Sequence, residues 1–251
     1  MKKSVVLFFV YFMAASLLIQ ARSSRIHPSP LCLADSIQPF SAAELLGQFD
    51  PTTHPDFTKI SSTFSSKPNL YMRKEAYDAY IQMHKKATSE GINLIILSAT
   101  RNFNYQKSIW ERKWKLEKYI GKSDLDKARD ILKYSSMPGT SRHHWGTDID
   151  LNSLEPGYFK QGKGKIIYDW LCINASTFGF SQTYTSKTNG RVGYEEEAWH
   201  WSYMPLAREM LSQFNQTISY EMLTGFKGCE QGSSMRVFEV YVNGIDESLK
   251  K

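Results

Sequence analysis

Two short stretches constrain this chain more than any other feature: "GTDIDL", Gly146 to Leu151, and "AWHWSY", Ala198 to Tyr203. Each alternates in side-chain character with period two, the pattern of a strand whose two faces meet different surroundings. In the first, Asp148 and Asp150 share one face, while Thr147, Ile149 and Leu151 share the other. His143 precedes Gly146, a residue that lets the chain turn back. A histidine before the turn and a carboxylate after it can converge on one ion if a third ligand arrives from elsewhere. His200, in the second stretch, is the candidate. Catalytic zinc takes three nitrogen or oxygen ligands from the protein and leaves a fourth position for water. His, Asp and His satisfy that count, and Glu197, three positions before His200, is placed to serve as a proton acceptor.

The remaining segments read as a mixed α+β chain. "SAAELLGQF" opens with a capping box, Ser41 followed by Glu44. A helix is expected over 73–89, closed by Gly91, and "INLIILSAT" reads as a buried strand that ends at Arg101, where a cation could face a cleft. "NYQKSIWERKWKLEKYI" and "SDLDKARDILKYSS" read as helices, the second capped by Ser123. Trp110 and Trp114 form a core stripe on the first of them. "GKIIYDWLCINASTFG" predicts a helix closed by Gly179, with Cys172 a buried thiol, and Pro205 starts a last helix. "MRVFEVYVNGI" predicts a further strand or an extended clasp.

With 41% hydrophobic and 14% aromatic residues in 251, the chain has the apolar mass for one good core. Residues 1–21 carry two lysines, an apolar run from Val5 to Ile19 and a small residue at Ala21. They read as a secretory signal peptide, with a retained signal anchor as the alternative, so a membrane enters only if that segment stays uncleaved. Residues 22–40 read as a linker, 41–214 as the catalytic domain and 215–251 as an extension packed on it. Cys32, Cys172 and Cys229 are too few for a disulfide scaffold, although export would allow a Cys32–Cys229 bridge. The net charge of +6 is scattered rather than clustered, which with the export signal favours an anionic cell envelope over nucleic acid.

The order Ser141, His143, Gly146, Asp150, followed by "EAWH" at 197–200, resembles the SxHxxGxxxD and ExWH motifs of the LAS metallopeptidases, specifically the VanY-type D-alanyl-D-alanine carboxypeptidases. "SATRNFNYQ" is similar to that family's SxxRxxxxQ segment, with Arg101 and Gln106 at the matching positions. The resemblance implies a small antiparallel sheet carrying one zinc site, with helices packed on one side, as in Hedgehog and DD-peptidase folds. It implies His143, Asp150 and His200 as zinc ligands, Glu197 as general base and then acid, and Arg101 at the peptide carbonyl or carboxylate. Ser141 and Gln106 would bind substrate. Where the family usually has a small residue, often alanine, this chain has Asp148, which shares a face with Asp150 and competes for the ligand position; His144 beside His143 raises the same question. The implied activity is hydrolysis of peptidoglycan stem peptides in the periplasm or cell envelope. D,D-dipeptidase, L,D-carboxypeptidase and crosslink endopeptidase are close rivals, and a zinc-containing wall-binding or signalling module is the non-enzymatic one.

Overall fold

In the computed structural model, which describes residues 39–250, four short strands form an antiparallel sheet in the order β3 (Ile96–Ser98), β4 (Asp148–Leu151), β6 (His200–Tyr203) and β5 (Phe180–Gln182). The alternation of β4 and β6 divides the sheet into an apolar and a polar face. Ile149, Leu151 and Trp201 join Ile96 and Phe180 in a buried cluster. That face is covered by α2 (Lys74–Ser89) and α5 (Gly162–Asn174), which contribute Ala76, Tyr80, Met83, Ile167 and Leu171. Fully burying each large side chain of this kind is worth about 1.5–3 kcal/mol, so the cluster fixes which way the strands face.

A second cluster gathers α1 (Ala42–Leu45), α3 (Phe103–Trp114), α4 (Asp124–Ile131) and α6 (Met204–Thr217) around Trp110, Trp145, Met210 and Phe214. The capping box of Ser41 and Glu44 is formed at α1, and Ser123 caps α4. Trp110 and Trp114 are buried as a stripe. Among the described residues no helix is long and apolar enough to cross a membrane. The signal segment and Cys32 lie outside the described residues.

Three expectations need correction. Cys172 is exposed: α5 turns Ile167, Trp170 and Leu171 inward, and the next position rotates by about 100° out of the core. The helix expected to run to Ile120 stops at Trp114. Leu116 is extended, and the turn Glu117–Tyr119 redirects the chain so that Tyr119 is buried with its hydroxyl on Asp130 at 2.8 Å. "MRVFEVYVNGI" is no strand; Phe238–Val242 is a wide helical turn, with the amide of Asn243 donating to the Phe238 carbonyl. Its buried hydrophobic side chains, Val237, Val242 and Ile245, follow no period of two, and all three enter the second cluster.

A β1–β2 hairpin strut (Phe57–Lys59 with Tyr71–Arg73) holds the turn that precedes β4. The Arg73 amide donates to the Gly146 carbonyl, and its Nε donates to that of Trp145 at 2.9 Å. Its other nitrogens pair with Glu44 and Asp56. Gly146 sits at φ 74° with Phe57 packed against it, so a Cβ there would be strained and would overlap the ring. Gly146→Ala is therefore expected to cost at least about 1–2 kcal/mol, read as a lower urea midpoint; an unchanged midpoint would contradict this account of the turn.

Candidate active site

The antiparallel register places Asp150 directly opposite His200 and Asp148 opposite Ser202. All four side chains leave the polar face of the sheet, where cross-strand partners lie about 4.5–5.5 Å apart at Cβ. His143 comes from the single turn Arg142–Trp145, whose exit through Gly146 in the left-handed region starts β4. The chain beyond β3 holds this turn by two bonds: the Arg101 amide donates to the His143 carbonyl at 3.1 Å, and His143 Nδ1 lies 2.8 Å from the Ala99 carbonyl.

A carbonyl can only accept, so His143 Nδ1 carries the proton and its Nε2 lone pair is left facing Asp150 Oδ1, 3.4 Å away. At His200 the roles of the nitrogens are exchanged. Nε2 donates to Asp148 Oδ2 at 2.8 Å, and Nδ1 faces Asp150 Oδ1 at 3.2 Å. Two imidazole nitrogens and one carboxylate oxygen thus converge, all within 4.8 Å of one another. A tetrahedral ion with bonds of about 2.0–2.1 Å has ligand–ligand edges of about 3.3 Å, so the donor types and the two N···O separations fit a zinc-like divalent metal. Each imidazole is also oriented by an acceptor on its far nitrogen, as metal-bound histidines generally are.

Both competitors for the ligand set are engaged elsewhere. Asp148 accepts from Arg142 Nε at 3.1 Å and His200 Nε2 on one oxygen, and from the Thr147 and Ser202 hydroxyls, each at 2.7 Å, on the other. Burial alone would raise its pKa, but Arg142 and His200 hold it well below the usual carboxylate range. It acts on the site through the far side of His200. His144 lies between the Arg101 carbonyl and the Gly139 amide, with both ring nitrogens used. Burial pushes its pKa down to about 3, so it is neutral.

Glu197 reaches the centre from the loop before β6, where its amide donates to the Tyr184 carbonyl; its Oε2 is 3.7 Å from His200 Nδ1. Burial pushes its pKa up to about 7, with His200 and Arg101 partly opposing the rise. For His200 without a metal, burial opposes the charge, but the bonds to Asp148 and Asp150 outweigh it and raise the pKa to about 9, so metal binding at Nδ1 has to displace a proton. Tyr184 packs over the His200 ring at 4.7 Å.

Two spaces open from this centre. One is a small polar recess of about 20 Å³, bounded by Ser136, Ser141, Arg142, Tyr184 and Tyr194. The other is a cleft of about 520 Å³ between α3 and the segment Leu154–Pro156. Arg101, His143 and Glu197 border both. Among the described residues, Arg101 Nε, Ser141 Oγ, Arg142 Nη1 and the Tyr194 hydroxyl are buried without a hydrogen-bond partner, and all four residues line the recess. Gln106 does not line either space. It stands one layer back, its Nε2 donating to the Ser136 carbonyl at 2.7 Å. The sequence reading missed Arg142 and Tyr184. Arg142 had a signal in its place between Ser141 and His143, whereas Tyr184 had none.

The family model of VanY, D-alanyl-D-alanine carboxypeptidase, matches residues 69–206. YodJ of Bacillus subtilis is 30% identical over 169 residues, which cover 64% of this chain and 56% of YodJ. A D-alanyl-D-alanine carboxypeptidase of Enterococcus faecalis is 28% identical over 126 residues, 50% of this chain and 46% of that protein. The chain thus spans about half the length of these relatives. Among solved structures, the LD-carboxypeptidase LdcB superposes with a TM-score of 0.51 at 25% identity, covering 68% of this chain and 76% of that one. A variant of the vancomycin-resistance D,D-pentapeptidase VanY in complex with Zn(II) gives 0.50 at 19% identity, covering 82% and 92%, a likeness of fold.

The geometry separates ligand from support. Asp148→Ala is expected to weaken divalent-metal binding by about 10- to 100-fold, the usual effect of losing an outer partner, and Asp150→Ala to weaken it further. Competition titration with a metal indicator measures both, and the reverse order would exchange the two roles.

Proposed function

The chain belongs to the VanY family of D-alanyl-D-alanine carboxypeptidases, and from that premise we propose that it is an exported, zinc-dependent carboxypeptidase acting on peptidoglycan stem peptides. His143 Nε2, Asp150 and His200 Nδ1 hold one zinc. The observation that carries the reading is the recess beside Glu197. Its four partnerless buried donors, on Arg101, Ser141, Arg142 and Tyr194, suit the carboxylate of a substrate C terminus. A crosslink endopeptidase would need an open path on that side; the small recess favours release of a single terminal residue. D,D- and L,D-carboxypeptidase remain close alternatives, since both present the same terminal carboxylate. The apolar segment 1–21 supports export, and no nucleic-acid role is assigned.

Zinc, when bound, acts as a Lewis acid on the scissile carbonyl and on water. The chain's own residues do the rest. Glu197, buried and with its pKa near 7, takes a proton from the attacking water and delivers it to the leaving amine. Arg101, tied to His143 through its backbone, donates to the developing oxyanion or to the terminal carboxylate. Ser141 and Arg142 seat the terminus, and Gln106 positions Ser136 at the recess wall.

Glu197→Gln preserves shape but cannot accept a proton. It is expected to keep its zinc while turnover of a D-alanyl-D-alanine peptide falls by about 10²- to 10⁴-fold. Loss of zinc would make Glu197 a ligand, and unchanged turnover would remove it from the chemistry. A peptide and its C-terminal amide separate the roles of Arg101: if it reads the terminal carboxylate, wild type prefers the free acid and Arg101→Lys loses that preference. If Arg101→Lys hydrolyses both as fast as wild type, Arg101 belongs to the fold alone.

A further inference from the structure

Helix α3 carries two stripes. Gln106, Trp110 and Trp114 face the core, while Tyr105, Ile109, Arg112 and Lys113, at i, i+4, i+7 and i+8, line the wide cleft. The second stripe ends in two cations that have no counter-charge. Some lysines of the chain do have one, as Lys86 with Glu90 and Lys187 with Glu195; what sets Lys113 apart is that it is unpaired while lining the cleft of the catalytic centre. Among the described residues, neither Arg112 nor Lys113 has a carboxylate within 4.0 Å, and Arg101 beside them has none either. The acids of the cleft do not supply one. Asp150 and Glu197 belong to the catalytic centre, and Glu155 stands on the segment across the cleft.

Lys113 is half-buried rather than free in solvent. Burial lowers its pKa, the nearby Arg101 lowers it further, and Glu197 opposes the change. A lysine held in a partly dry cleft without a partner is unfavourable unless an anion arrives to satisfy it. Lys113 lines the same cleft as Arg101 and Glu197, so an anion that satisfies it lies on the cleft side of the catalytic centre.

We propose that Arg112 and Lys113 hold a second carboxylate of the substrate, carried on the acyl side of the cleaved bond and distinct from the one at the C terminus. The assignment rests on the carboxypeptidase reading of the same site: with the terminal carboxylate in the recess, the acyl part of the peptide lies in the wide cleft against α3. A polyanionic wall polymer would engage cations spread over the outer surface, whereas the half-buried Lys113 and the exposed Arg112 both line the cleft that holds the general base.

The test uses the full chain loaded with zinc and two synthetic peptides ending in D-alanyl-D-alanine. They differ only in whether a residue just upstream of the cleaved bond bears a free carboxylate or its carboxamide. Wild type is expected to favour the carboxylate peptide by about 10- to 100-fold in kcat/KM, chiefly through KM, as for a charge-assisted hydrogen bond made equally in the ground and transition states. Lys113→Met and Arg112→Met should each narrow that gap, and Lys113→Arg should restore much of it. Equal hydrolysis of both peptides by wild type would overturn the inference while leaving the carboxypeptidase reading intact. Hydrolysis of neither would overturn that reading and this one with it. Inhibition by a soluble polyanion that Lys113→Met relieves, without any peptide preference, would assign the cations to a wall polymer and also overturn the proposal.

Discussion

The register between β4 and β6 is the constraint on which the site depends. Setting Asp150 opposite His200 brings a carboxylate and an imidazole together on one face, and Asp148 two residues back meets the other nitrogen of the same ring. A slip of one residue would send both aspartates into the apolar cluster formed with α2 and α5, which burial of Ile149, Leu151 and Trp201 opposes. The hydrophobic face of the sheet thereby determines the alignment of the polar one. Only His143 comes from outside the pair, and the backbone bond from Arg101 together with the Arg73 clamp ties its turn to the sheet.

Burying this much charge is unfavourable unless every group has a partner. Asp148 is the hub that resolves it, since Arg142, His200, Thr147 and Ser202 all donate to it. The same hub fixes the His200 tautomer, leaving Nδ1 to face the centre. Around the recess, Arg101, Ser141, Arg142 and Tyr194 each keep a buried polar atom without a partner. Arg142 illustrates the division: Nε and Nη2 are spent on Asp148 and Ser202, while Nη1 is left without a partner.

Much of this was legible because period-two alternation and short motif spacing are local. "TDIDL" and "AWHWSY" displayed the faces of their strands, and the ligand histidines fell at motif positions. Motif spacing pointed to Asp150, but alternation alone did not separate it from Asp148, since both project from one face; the donors that gather on Asp148 from Arg142, Ser202 and His200 favour Asp150 as the ligand, and two of them lie more than fifty residues away in sequence. The exposure of Cys172 and the helical turn at Phe238–Val242 were misread for a related reason. Apolar composition signals burial, but the direction of each side chain is set by the packing of α5 and by the cluster that receives Val242 and Ile245. The cleft-facing stripe of α3 was hidden as well, because an unpaired cation looks in sequence like any solvated lysine.

The central claim is that the strand register selects His143, Asp150 and His200 as the metal ligands and leaves Asp148 and His144 as supports. Anomalous diffraction at the zinc edge from crystals of the zinc-loaded protein tests it most directly. The account predicts a single strong peak bound by His143 Nε2, an Asp150 oxygen and His200 Nδ1, with Asp148 still on His200 Nε2. A peak ligated by Asp148 or His144, or no zinc at this centre, would contradict it.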